Sequence, residues 1–242
     1  MRNIISLVNE NIIKPVVLLG LVLNCSFLYA QEPPNEKMPA KTIIWQIDNP
    51  AQIGKFKTSI LGQPVVRVDE GDEVLFFDGV DDGLIVPEIP IQGWTKFSIE
   101  VLFKPAGDGP VAPRFIHFQD TEDNRCTFEL RITPNKMWYL DTFLKNGKAG
   151  DRGLALIDST LLYPTDQWYW AALTYDGKKM VSYVNGIKQL EGETNFVTTN
   201  EDGSLSIGVR LNKVNWFKGL IGEIRFHPEV LTAKTLQKKT NK

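Results

Sequence analysis

In the stretch FSIEVLFKP, residues 97–105, Phe97, Ile99, Val101 and Phe103 stand at every second position. Ser98, Glu100 and Lys104 take alternate places, and only Leu102 breaks the pattern. A period of two puts the apolar set on one face of an extended chain, so the stretch predicts a half-buried strand. Similar short runs follow one another from Thr42: TIIWQI, PVVRV, EVLFF, GLIVP, RFIHF, CTFELRI, KMWYLDTFL, WYWAALTY, MVSYVNG, SLSIGV and LIGEIRFH. Gly, Asp, Asn and Pro punctuate them, and Asp176-Gly177 is a strong hairpin signal. Helical spacing is missing until the end, where Thr232 is placed to cap a short helix over AKTLQKK. Many short strands without a βαβ rhythm predict an all-β fold, a two-sheet antiparallel jelly-roll sandwich with a short C-terminal helix. One domain is expected over residues 42–237, with 238–242 a tail.

The first thirty residues read differently. Arg2 and Lys14 precede an apolar run, Val16–Leu23, and the stretch closes at Tyr29-Ala30 before Gln31. That pattern predicts a secretory signal over 1–30, cut near Ala30, and a secreted or periplasmic protein. The run is too short for a membrane-spanning helix, which needs roughly 20 apolar residues. Cys25 is a rival site, for a lipid anchor. An uncleaved interfacial anchor is the other alternative. Residues 31–41, QEPPNEKMPAK, are polar and Pro-rich and read as a flexible linker. The net charge is −2, and removing Arg2, Lys14 and Glu10 (two cations, one anion) leaves −3. Such a balance provides no basic field for nucleic acid and no polybasic membrane patch. After the cut Cys126 is the lone cysteine, expected to be buried, and two histidines without a Cys/His cluster give no zinc site.

Four segments, in order, resemble a known family. LFFDGVDDGLIVP resembles the motif apolar-Phe-Asp-Gly-x-Asp-Asp-x-apolar-x-Val-Pro, and FSIEVLFKP the strand that follows it. WYWAALTYDGKKMVSYVNGIK resembles the family's Trp…Thr-Tyr-Asp-Gly…Tyr-Val-Asn-Gly hairpin. IGVRLNKVNWFKGLIGEIRFHPEVLTAKTL resembles its closing unit. The chain is similar, over about Val74–Leu236, to the laminin-G-like jelly roll of the concanavalin A-like lectin/glucanase superfamily. That resemblance implies a two-sheet jelly roll, common in exported bacterial proteins as a carbohydrate- or protein-binding module, sometimes with calcium. The closing unit departs from the family: Gly222 stands where an Asp usually precedes Glu223.

Three kinds of chemistry compete for the polar residues. Asp78, Asp81 and Glu223, with Asp82, are candidate ligands for a structural calcium; the alternative is turn chemistry, in which Asp bonds its own backbone. No cofactor is required. Glycosidases need two carboxyl groups roughly 5–10 Å apart, and the Glu-x-Asp-x-x-Glu spacing of the superfamily's β-glucanases is absent. RCTFELRI is faintly like the Arg-x-Glu-x-Arg of alginate-cleaving jelly rolls, so a glycoside hydrolase or lyase using Glu129 or Glu100 with His117 stands as the alternative. A cell-surface protein-interaction domain is another. No catalytic residue is assigned, and the chain is not expected to be an enzyme.

Sugar sites pair an aromatic platform with convergent polar groups. RLNKVNWFKG offers Arg210, Asn212, Asn215 and Trp216, and NKMWYLDT offers Trp138 or Tyr139, with Asp141 beyond. Arg131 and His117 are placed to share the same concave sheet. Trp168 and Trp170, at alternating positions, are expected in the core. The ligand is expected to be a carbohydrate or another extracellular molecule.

Overall fold

In the computed structural model, residues 41–197 and 202–239 are described. All of them fall within one compact unit, Pro39–Lys242. The expected leader, Cys25 and all but the last residue of the linker lie outside the described residues.

The strands are β1 (Ile43–Gln46), β2 (Gln52–Ile53), β3 (Phe56–Lys57), β4 (Ser59–Leu61), β5 (Val65–Asp69) and β6 (Asp72–Asp78). Then come β7 (Gly83–Val86), β8 (Phe97–Pro105), β9 (Arg114–Gln119), β10 (Arg125–Ile132), β11 (Met137–Lys145) and β12 (Leu154–Ile157). The last are β13 (Tyr163–Pro164), β14 (Tyr169–Tyr175), β15 (Lys179–Val184), β16 (Ile187–Glu193), β17 (Ser204–Ile207) and β18 (Lys218–His227).

Two antiparallel sheets stack face to face. The first runs β16-β15-β14-β8-β18-β6-β5, with β1 also on β18. The second runs β12-β11-β10-β9-β17-β7-β4, with β13 on β11. β2 and β3 form a separate ribbon. Phe97, Ile99, Val101 and Phe103 of β8 are all fully buried between the sheets, as their alternation requires. Each contributes about 1.5–3 kcal/mol relative to exposure. Cys126 is free and buried, a small apolar residue of the core. Asp176 Oδ1 accepts the backbone N–H groups of Lys178 and Lys179 at 2.9 and 2.7 Å and closes the β14–β15 hairpin.

The C-terminal helix does not form. Thr232 C=O accepts from Thr235 N at 2.9 Å and Leu236 N at 3.0 Å, one turn only. The next N–H groups are captured by side chains of the first sheet. Gln237 N donates to Glu100 Oε1 at 2.6 Å and Lys239 N to Asn185 Oδ1 at 3.2 Å. A helix this short is marginal by itself, so these tertiary partners decide its backbone.

Trp168 and Trp170 also sit elsewhere than expected. They share a face, but Tyr169, Ala171, Leu173 and Tyr175 take the face between the sheets. Trp168 packs with Val74 and Leu220 outside the first sheet, and Arg225 lies over Trp170, 5.1 Å from its ring centre. Both indoles are buried by outer-face cover. Among the described residues no helix is long and apolar enough to cross a membrane.

Candidate functional site

Between β17 and β18 the chain makes a hairpin over residues 208–217. It begins at Gly208, whose φ of +79° and closeness to Phe77 exclude a side chain; a Cβ there would lie 2.4 Å from the ring. Gly208 N donates to Phe115 O at 2.9 Å and Phe217 N to Gly208 O at 2.8 Å. At the tip, Arg210 N donates to Val214 O at 3.1 Å and Lys213 N to Arg210 O at 2.8 Å. Lys213 and Asn215 both hold φ of +61°, a left-handed conformation that Asn tolerates.

Asn215 ties the hairpin to β9. Its C=O accepts Arg114 N at 2.9 Å, its Oδ1 accepts the Arg114 guanidinium, and its Nδ2 donates to Ala112 O at 3.2 Å. Asn215 is therefore spent on structure.

The outer face of the second sheet carries an ion ladder across β9, β10 and β11. Arg114 Nη2 lies 2.7 Å from Glu129 Oε2. Arg131 contacts Glu129 Oε1 and reaches Asp141 Oδ2 at 2.8 Å. Glu129 and Asp141 are directly opposite in the β10–β11 register, and like charges so placed repel. Arg131 between them relieves that repulsion. Burial raises the carboxyl pKa values of Glu129 and Asp141 and outweighs the arginines. Burial, with Arg210 and Arg131 near, also lowers that of Arg114 against the pull of Glu129.

His117 is buried on the same face. Its Nδ1 accepts Leu211 N at 3.4 Å, so the proton of the neutral ring is on Nε2, which has no partner. Burial, then the charges of Arg210, Arg114 and Arg125, push its pKa down to about 3. At neutral pH the ring carries no charge.

The hairpin thus carries Arg210, Asn212, Asn215 and Trp216; Leu211 joins it to His117 and Asn215 joins it to Arg114, which shares Glu129 with Arg131. Trp138 is not among them. It is fully buried, packed edge-to-face on Phe103 and Tyr169 and tilted on Tyr163 with ring centres 5.0–5.2 Å apart, and its Nε1 donates to Pro164 O at 3.1 Å. The β11 register turns Trp138 inward and Tyr139 and Asp141 outward, so Trp138 offers a ligand no surface. Trp216 is half-buried beside Val209 and Gly83, where a Cβ on Gly83 would meet its ring at 3.4 Å. Asn212 is exposed. Arg114 was missed by the sequence reading. A bulge in the β9–β10 register sets Arg114 opposite Glu129 and Thr127 opposite His117, so residues three apart share a face. Simple alternation would have separated them.

The aspartate turn is a different matter. Asp78, Asp81 and Asp82 bring ligand atoms within 4.8 Å of one another. Yet Asp78 Oδ1 accepts Val80, Asp81 and Asp82 N–H at 2.8, 3.2 and 3.3 Å. Asp82 Oδ1 and Oδ2 accept Gln63 N and Asp78 N at 2.6 and 3.0 Å. Burial raises the pKa of Asp78, but these N–H donors outweigh it and hold the value below the usual range. The pKa of Asp82 rises by burial and by the two nearby aspartates. Glu223 is not part of the group. β6 does pair with β18, but Asp78 faces Lys218 and Glu223 faces Gln46. Five residues of strand separate those points, roughly 17 Å. Glu223 instead binds Arg225 and accepts from Gln46 Nε2 at 2.9 Å. Calcium takes six to eight oxygens, and three of the six carboxylate oxygens here, Asp78 Oδ1 and both of Asp82, already accept backbone N–H groups.

The carboxylates considered for hydrolysis do not meet. Glu100 is on the outer face of the first sheet, 2.9 Å from His227 Nε2, while Glu129 is on the second sheet between two arginines. A cleft of about 410 Å³ on the first sheet is lined by Asp48, Asp69, Glu70, Asp72, Glu73 and Glu223 over Trp168. Its acids are dispersed: Asp69 binds Lys104 and Trp168 Nε1, and Glu70 binds Lys239.

Comparison with known proteins fits this architecture. The Laminin_G_3 family model, concanavalin A-like lectin/glucanases superfamily, matches residues 78–237. No curated protein sequence matches the chain. Domain 4 of AbnA, a GH43 extracellular arabinanase from Geobacillus stearothermophilus solved in complex with arabinotriose, is similar with a TM-score of 0.61. It is 21% identical over 81% of this chain and 96% of its own. The botulinum neurotoxin serotype D binding domain has a TM-score of 0.59 and 12% identity, over 80% of this chain and 50% of that one. The binding domain of botulinum neurotoxin DC, solved with SialylT, has a TM-score of 0.58 and 14% identity over 80% and 49%. The chain therefore spans about half the length of the neurotoxin domains. At these identities the likeness concerns the fold alone. With its family match, two-sheet topology and closing hairpin, the chain belongs to the Laminin_G_3 family of the concanavalin A-like lectin/glucanases superfamily.

Proposed function

We propose that the protein is an exported, non-catalytic module that binds carbohydrate at the 208–217 hairpin and the adjoining outer face of the second sheet. The observation that carries this reading is the half-buried Trp216 on a hairpin pinned by Asn215, which also carries exposed Asn212 and Arg210, a cation without an ion pair among the described residues. An aromatic ring supplies area for a sugar face, and neighbouring polar groups orient the hydroxyls. Fold relatives solved with arabinotriose and with SialylT lend support by analogy. Glu129 is consumed by Arg114 and Arg131, which favours binding over hydrolysis.

A glycan array, followed by titration calorimetry of the strongest hits, tests the proposal. Trp216→Ala should abolish the heat of binding and leave the melting temperature within a few degrees of the parent. An array silent for plant, algal and host glycans overturns it.

A further inference from the structure

The outer face of the second sheet has an unbalanced charge census. Its cations are Arg114, Arg125, Arg131 and Lys145, joined by Arg210 of the hairpin that donates Leu211 N to His117, and its anions are Asp123, Glu129 and Asp141. The pairs are definite. Glu129 serves Arg114 and Arg131, and Asp141 serves Arg131. Asp123 serves Arg125 at 3.1 Å and also Lys145, and accepts from Gln119 Nε2 at 2.9 Å. Glu129 and Asp123 each serve two cations, Asp141 is held by Arg131 alone, and Arg210 is left over. Its side chain has no ion pair or hydrogen bond among the described residues. It is not remote from the others: its charge contributes to the shifts at His117, Arg114 and Asp123.

From this surplus we infer that the sugar bound here is acidic, and that its carboxylate pairs with the guanidinium of Arg210, on the same hairpin as Trp216. The inference rests on the carbohydrate reading above. A guanidinium presents a planar fork that matches a carboxylate bidentately. Arg210 is partly shielded, so the pair would be screened less than one in open water. The backbone that carries it is set by the Val214 and Lys213 bonds and by Asn215, so little ordering remains to be done on binding. A neutral sugar would leave the surplus charge uncompensated.

The test is calorimetry of the full chain with oligogalacturonate and with a sialylated oligosaccharide, each against its carboxyl-reduced form. At least one acidic form should bind, roughly tenfold or more tighter than its reduced form, the range for a hydrogen-bonded charge. Which of the two binds distinguishes a uronate from a sialate source. Affinity should fall as salt rises. Arg210→Gln should remove the gap between the acidic and reduced forms by weakening the acidic form far more than the reduced one, and Arg210→Lys should restore part of it. A thermal melt of each variant confirms folding. Equal affinity for acidic and reduced sugars, or binding of neutral glycans alone, overturns the inference while the carbohydrate reading stands. Binding of no glycan of either kind overturns both.

Discussion

Glu100 is a carboxylate with no exposed surface, and it holds the end of the chain. Its Oε2 lies 2.9 Å from His227 Nε2, and its Oε1 accepts Gln237 N at 2.6 Å. Next to it Ser98 Oγ donates to Glu229 O and accepts Leu231 N, both at 2.8 Å. Beneath this tail Leu236 packs on Ala172 and Tyr183. Replacing Glu100 by Ala removes both bonds and leaves Gln237 N and His227 Nε2 without their acceptor. Hydrogen bonds to charged groups are worth about 1.5–3 kcal/mol each, so losing both costs about 3–6 kcal/mol. For a domain of this size 1 kcal/mol moves the melting midpoint by about 2–4 °C, so a fall on the order of 10 °C is expected. Glu100→Gln should fall less, because an amide oxygen can still accept Gln237 N. Calorimetry measures the midpoints, and hydrogen exchange of residues 228–239 shows whether that tail loses protection before the sheets. A Glu100→Ala protein that melts within about 2 °C of the parent, with an unchanged tail, would refute the latch.

Three further outcomes follow from the same structure. His117 has a pKa of about 3 against an ordinary 6.5, so between those values the unfolded chain binds a proton that the folded chain refuses. Stability therefore falls as pH drops through that window, by up to about 1.4 kcal/mol per pH unit; His117→Gln should flatten the urea-derived stability curve from pH 6 to 4, and parallel curves would count against it. Trp138→Ala should cost about 3–5 kcal/mol in denaturant unfolding while the folded fraction keeps its affinity for sugar. Weakened binding without lost stability would return Trp138 to the ligand surface. At the aspartate turn, melts with calcium and with chelator should coincide within about 1 °C, since a bound ion would stabilise by mass action. Asp78→Ala should lower both midpoints alike, through the three N–H groups it leaves unpaired. A rise of several degrees with calcium would show that the turn holds the ion.

What was legible in the chain was what depends on near neighbours. The alternation in Phe97–Phe103, the Asp-Gly turn at Asp176 and the capping aspartates of LFFDGVDDGLIVP are local chemistry, and each appears in the structure as a strand or a turn. The loop around Arg210, Asn212 and Trp216 could also be picked out, because aromatic and amide residues between two strands are visible without coordinates. Alternation alone could not tell which face is which. Trp170 lies in a strand buried on both faces, and Trp138 in one whose outer face carries half-buried Tyr139 and Phe143, so composition did not distinguish the core from the outer cover.

The sequence by itself therefore determined the strands, the turns, the sandwich class and the hairpin that carries the candidate site, since these follow from periodicity and local backbone preference. Tertiary structure decided the rest. The β9–β10 bulge put Arg114 and His117 on one face, and the β6–β18 register kept Glu223 away from Asp78. Glu100 and Asn185 took the backbone donors that a terminal helix would have used. Strand pairing between distant segments, to within a single residue, assigns partners to charged side chains, and one residue of offset turns a side chain to the opposite face. That offset lies in the fold as a whole, and it pairs the other cations of that face while Arg210 has no ion pair among the described residues.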